Sequence, residues 1–136
     1  MKKFLDDLPQ YFALLGSVLG FLLGGFDGYL YTLLGFILID YLTGLVVAIT
    51  LRQVSSEVGF VGILKKMLIL VMVAMGHLLD QNLLGAGNAL RTAVIFFYTA
   101  NEGISITENL TRLGFPIPAK LKMVLAQLYD KEKEEH

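Results

Sequence analysis

From Leu8 to Leu79 the chain carries only six Lys, Arg, Asp or Glu residues: Asp27, Asp40, Arg52, Glu57, Lys65 and Lys66. Between them lie apolar runs that approach the ~20 residues a helix needs to cross a ~30 Å hydrocarbon core. A chain of 136 residues cannot hide so many long apolar helices from water in an interior of its own. Composition agrees: 55% of residues are hydrophobic and 17% charged, the latter below the roughly 25% of soluble domains. The pattern predicts an all-α, polytopic membrane protein, a single domain over residues 1–136 in contact with the lipid bilayer.

Four crossings are expected, over about 9–25, 29–51, 62–84 and 89–113, then a short amphipathic helix over about 119–129 and a charged, frayed tail, 130–136. In the first, Gly16, Gly20 and Gly24 recur every four residues with Ser17 beside them. Such spacing lets two helix backbones approach closely, within a chain or between copies, although glycine is also simply common in membrane helices. Phe26-Asp27-Gly28 is the turn into the second segment, where Asp40 lies midway with Thr43 and Gly44 a turn further on. An ionised aspartate in hydrocarbon costs about 3 kcal/mol even on lenient scales. Asp40 is therefore expected to face protein or water, or to be protonated, with Arg91 and the Lys65–Lys66 pair as candidate partners. It serves either to pair helices or as a pore-facing or trigger residue.

Residues 52–66 read as a loop that re-enters an apolar helix. Near the far end of the third segment, His77 and Asp80 stand at i, i+3 and read as a polar pair. With no second His or carboxylate cluster at ligand spacing, no metal site is expected. Asn88, closing the short 84–88 turn, is the candidate cap of the fourth segment.

That fourth segment is apolar on most of its surface but polar along one side. At about 100° per residue, Arg91, Tyr98, Glu102, Ser105, Asn109 and Arg112 fall within roughly 80° of arc. In a membrane such a stripe needs a partner helix or a water-filled space. Gly114, Pro116 and Pro118 end the helix. Beyond them Leu121, Val124, Leu125 and Leu128 keep helical spacing, as in a helix at an interface or packed on the loops.

Orientation follows the cations. With four crossings one side holds Lys2, Lys3, Arg52, Lys65, Lys66, Arg112, Lys120, Lys122, Lys131 and Lys133, and the other only Arg91. This bias places both termini in the cytoplasm; with three crossings half of those cations would fall outside. The N-terminus does not read as a cleaved signal peptide, because Asp6 and Asp7 follow Lys2 and Lys3 at once. A net charge of −1 argues against a nucleic-acid partner. The absence of cysteine removes disulfides, thiolate catalysis and Cys-based metal sites. No metalloprotease, nucleotide-binding or hydrolase motif is present, so neither an enzyme nor a cofactor is expected.

The residues also carry a resemblance. Asp40-Tyr41-Leu42-Thr43-Gly44, Gly62-Ile63-Leu64-Lys65-Lys66, Arg91 through Phe97-Tyr98, Asn101-Glu102-Gly103-Ile104-Ser105-Ile106, Glu108-Asn109, and Gly114-Phe115-Pro116-Ile117-Pro118 with Leu121 resemble the toxin-secretion/phage-lysis holin family. The match runs from about Asp40 to Leu128; the first segment is similar only in character. The resemblance implies a phage or prophage protein of the bacterial cytoplasmic membrane. Such proteins form homo-oligomeric lesions that let an endolysin, or a large toxin, pass; no catalytic residue is implied. On that expectation the Arg91–Arg112 stripe faces inward at rest, with Arg91, Asp40 and Glu102 offsetting one another's charge, and is wetted on triggering. Membrane potential can bias such a step, since one charge moved across 100 mV is worth about 2.3 kcal/mol. The competing readings are a small non-lytic channel or transporter using Asp40, His77 and Glu102, and an accessory scaffold subunit.

Overall fold

Five helices follow one another along the computed structural model, which describes residues 1–85 and 87–134. They are α1 (Lys2–Leu23), α2 (Gly28–Thr50), α3 (Ser56–Leu79, continued by a π-helical turn Asp80–Leu84), α4 (Ala89–Arg112) and α5 (Ala119–Glu134). No strand occurs among the described residues. Ala86 of the predicted turn and residues 135–136 of the predicted tail lie outside them.

Local chemistry sets most of the ends. α1 stops where Gly24 and Gly25 take φ of 85° and 99°, a conformation that costs glycine little. The Gly25 N–H then donates back to the Gly20 carbonyl at 2.7 Å, closing the last turn. Asp27 caps α2 by accepting from the Leu30 N–H at 2.9 Å, and Ser55 occupies the same position before α3. Gly114, with φ 84°, follows α4, and the Phe115 N–H returns to the Leu110 carbonyl at 3.0 Å.

Four expectations change here. α1 begins at Lys2 rather than near Pro9, which sits inside the helix; lacking an N–H, Pro9 makes no bond to the preceding turn. Gly24 ends that helix instead of extending the glycine face, and an added Cβ at Gly16 would meet nothing within 4 Å. Asn88 makes no side-chain cap. Asp80 does that work from the end of α3, accepting from the Leu90 N–H at 3.1 Å and the Arg91 N–H at 2.8 Å. Finally, α5 continues past residue 129 to Glu134, so the described part of the tail is helical.

α4 is the hub. α2, α3 and α5 all pack on it, whereas α1 runs mainly beside α3, touching α4 through Arg91 at its end, and α2 meets α3 slightly. Gly76 brings α3 within backbone distance of α4: a Cβ there would lie 3.2 Å from Arg91 Cα. Leu23, Leu30, Leu33, Ile69, Val73 and Ile95 form the buried core. α5 does not rest on the loops but lies back along α4. Leu125 is buried against Gly103, and the Tyr129 ring centroid is 5.8 Å from that of Phe97. The polar helix is thus enclosed by α2 and α3 on one side and α5 on the other. Much of the outer surface of α1, α2 and α3 is bare hydrocarbon, including Phe21, Leu38, Phe60 and Leu68, far more than a soluble monomer leaves exposed. Two helices combine the length and apolarity to cross a membrane, α2 and the continuous run Ser56–Leu84.

Gly103 is a close approach in the α4–α5 seam: a Cβ would fall 2.5 Å from Leu125 Cδ2 and 3.1 Å from the Phe36 ring. Gly103→Leu is expected to destabilise the fold by about 1–3 kcal/mol through overpacking. It should also speed tryptic cleavage at Lys120 and Lys122 in detergent solution. Gly16→Leu, facing open space, should change neither reading.

Candidate functional site

Asp40, Lys66 and Glu102 meet at one level of the bundle. Each lies eleven residues from a cap at the same end, Leu51, Ser55 and Leu113 respectively, about 16 Å along the axes. The Lys66 ammonium donates to Asp40 Oδ2 and, at 2.6 Å, to Glu102 Oε2. Asp40 and Glu102 are buried, and the Lys66 side chain is 21% exposed. Asn109 completes the group, its amide donating to Asp40 Oδ1 at 3.1 Å and Thr43 Oγ1 at 3.0 Å. The Thr43 hydroxyl is free to accept because it donates to the Ile39 carbonyl.

Open cavities reach this triad, among them an apolar one of about 270 Å³ between α2 and α3 that Lys66 lines with Leu34 and Leu70. Another, of about 290 Å³, runs between α2 and α3 from Asp40 and Lys66 to Gln53 and Ser55 in the α2–α3 connection. Gly44, Gly59 and Gly62 are among the residues that line it. A third, of about 410 Å³, is a cleft between α3 and α4 that Glu102 also lines. Between the triad and Arg91 the core of the bundle is packed. Leu33, Val73 and Ile95 are fully buried, each seven residues, or two turns, from the triad member of its own helix. They form an apolar layer about 10 Å along the axes from the charged one.

Beyond that layer lies a second polar group. Arg91, 1% exposed, donates from Nε to the Leu23 carbonyl, from Nη2 to the Gly25 carbonyl at 2.9 Å and from Nη1 to Asp27 Oδ2 at 2.7 Å. One guanidinium thereby satisfies two carbonyls at the end of α1 and the acid that starts α2. The Arg91 guanidinium beside Asp27 holds its carboxyl below the usual carboxylate range, against the opposing effect of partial burial.

The expected stripe is therefore divided. Glu102, Ser105 and Asn109 face the triad level, with Ser105 lining the two larger cavities; Tyr98 is half-buried and lines the α3–α4 cleft. Arg91 does not offset Asp40: it serves the opposite end, because two turns of apolar packing separate the two groups. Arg112 is exposed at the end of α4. His77 and Asp80 do not pair. Asp80 is drawn to the start of α4, and the buried His77 Nδ1 has no hydrogen-bond partner among the described residues. No group of three or more His, Cys, Asp or Glu able to hold a metal occurs among the described residues.

Sequence reasoning named Lys66 among partners for Asp40 but missed Asp27 as the partner of Arg91. Counting depth would have found both. The turn at Asp27 and the start of α4 share one end of the bundle, whereas Asp40 is half a helix away.

Apolar helices facing outward, with charge held inside the bundle, define a helical membrane protein. The chain belongs to the bacteriophage holin family, whose sequence model matches residues 17–130. It is 46% identical over 110 residues to an uncharacterized protein of Listeria innocua, covering 81% of this chain and 78% of that one. An uncharacterized 14.9 kDa protein of Clostridium perfringens is 44% identical over 132 residues, covering 97% of this chain and 100% of its own length. A probable holin of Bacillus phage phi105 is 37% identical over 82 residues, 60% of each chain. No solved structure matches.

Two expectations follow from the charge groups. Lys66→Met leaves two buried carboxylates without a cation and should cost about 3–5 kcal/mol. The triple variant Lys66→Met, Asp40→Leu, Glu102→Leu should recover most of that loss in thermal unfolding followed by circular dichroism. Asp27→Asn keeps a capping oxygen for Leu30 but removes the charge facing Arg91. Because the folded carboxyl titrates lower than the unfolded one, the wild-type ion pair contributes fully above about pH 4 and is lost as pH falls through the folded value. The variant should melt lower at neutral pH and show less acid-dependent loss.

Proposed function

We propose that this protein is a holin that oligomerises in the bacterial cytoplasmic membrane and opens lesions wide enough for an endolysin, or a large toxin, to cross. The single observation that carries this reading is the enclosure of α4. Arg91 and Glu102 are buried and Ser105 and Asn109 half-buried against other helices, while Asn101, Glu108 and Arg112 stay exposed, so the closed chain keeps the innermost part of the stripe from lipid. Five helices are too few to enclose a wide pore, and several copies presenting α4 to one another would wet Glu102, Ser105 and Asn109 together. Family membership and the name of the phage phi105 relative support it.

In this reading α1 to α4 all cross the membrane, with both termini and the α2–α3 connection in the cytoplasm, as the distribution of lysine and arginine favours. The triad then sits near the bilayer midplane, since 16 Å is about half of a ~30 Å core. The open position at Gly16, where an added Cβ would meet nothing within 4 Å, pairs α1 with α1 of a second copy. The whole chain acts as one domain, without cofactor or catalytic residue. A second reading, a narrow non-lytic channel, draws on the cavity that leads from the α2–α3 connection to the triad.

Graded dextran release from liposomes holding the purified chain tests both. Release of protein-sized dextran, with and without an imposed potential, is the expected result. Leakage confined to small dyes would favour the narrow channel, and no release under any potential would favour a scaffold role.

A further inference from the structure

We propose that the Asp40–Glu102 pair is a proton-binding site, loaded from the side of the α2–α3 connection. Two carboxylates share one ammonium, so the triad carries a formal excess of one negative charge inside an apolar bundle. Asn109 contributes an amide dipole to Asp40 Oδ1 but no charge. Other polar groups at this level do not correct the balance. On α2 the neighbour is Tyr41, a phenol that is neutral near pH 7 and donates to the Gly59 carbonyl at 3.5 Å. On α3 Lys65 and on α4 Glu108 line the same cleft, one cation against one anion, with the Tyr98 phenol beside them. α5, on the far face of α4, contributes no residue to any of these cavities. Arg91 is separated by the Leu33–Val73–Ile95 layer and engaged with Asp27.

An uncompensated buried charge is costly, and a single proton removes it. The site also has a route for that proton. The cavity from Gln53 and Ser55 reaches Asp40 and Lys66, and the buried Leu33, Val73 and Ile95 stand between the triad and Arg91. A hydronium entering by this path gives its proton to a carboxylate oxygen, forming one O–H bond and leaving water; no co-reactant is needed.

The consequence for opening rests on the holin reading. The protonated triad is neutral and packs dry, whereas the deprotonated triad favours hydration and separation of α4 from α2 and α3. Alkalinisation on the α2–α3 side therefore promotes opening, and acidification there opposes it.

Three readouts test the site, and the first two do not depend on lysis. In liposomes at about pH 7, where unperturbed carboxylates are ionised, infrared spectroscopy should show a protonated carboxylic acid carbonyl band. The isosteric variants Glu102→Gln and Asp40→Asn, which each restore charge balance with Lys66, should both lose it. A wild-type spectrum without the band, or a band that persists in both variants, overturns the proposal. Because the chain has no cysteine, Ser105→Cys reports access alone. It should react with a membrane-impermeant maleimide from the α2–α3 side and not from the other, while Val73→Cys reacts from neither. Reaction of Ser105→Cys from the opposite side only overturns the loading direction. Dye release by the wild type should rise roughly tenfold as the α2–α3 side is taken from about pH 5 to about pH 8, and Glu102→Gln should lose this dependence. A release that follows sodium or potassium concentration at fixed pH, and not pH, also overturns it. The carboxylic acid band with no release at any pH would uphold the proton site and refute the holin reading.

Discussion

Charge carried into an apolar bundle has to bring its compensation with it. α4 imports Arg91 and Glu102, and the rest of the chain is arranged to meet them. Lys66 comes from α3 and Asp40 and Thr43 from α2, so the triad joins the three helices that pack around it. At the other end Arg91 gathers the end of α1, the start of α2 and the start of α4. These bonds are individually modest but costly to leave unmade in a dry environment. They fix which helix faces which, a choice that hydrocarbon packing alone leaves loose where lipid and side chain are equally apolar.

The layering along the bundle follows from helix geometry. Side chains seven residues apart lie on one helix face, two turns from each other. Leu33, Val73 and Ile95 stand in that relation to Asp40, Lys66 and Glu102, so three helices that align at the charged level align again at the apolar one. The result is asymmetric. An open cavity flanks the triad on the side of the α2–α3 connection, and packed side chains separate it from Arg91. α5 adds a further asymmetry, since it covers the one face of α4 that α2 and α3 leave bare. Gly103, between Leu125 and Phe36, is what lets that cover approach.

Much of this was legible in the sequence. The α2 and α4 bounds follow from apolar runs and their turn residues, and the resemblance in Asn101–Asn109 and Gly114–Pro118 indicated the family before any coordinates. Asp40 and the Arg91–Arg112 stripe were recognisable because charge is rare there and expensive. Pairing was less legible. Asp40 was offered both Arg91 and Lys66, and helical spacing along one segment says nothing about the depth of another. His77 and Asp80, neighbours on one helix, read as a pair until the start of α4 was brought beside Asp80.

The sequence by itself determined that the chain is helical, that it belongs with membranes, and that α4 needs polar company, because hydropathy and periodicity are local properties. Only the tertiary structure decided that Lys66 serves two carboxylates, that Arg91 binds Asp27, that Asp80 caps α4, and that α5 lies along α4. Each of those joins residues far apart in sequence, and only packing sets their relative height and rotation.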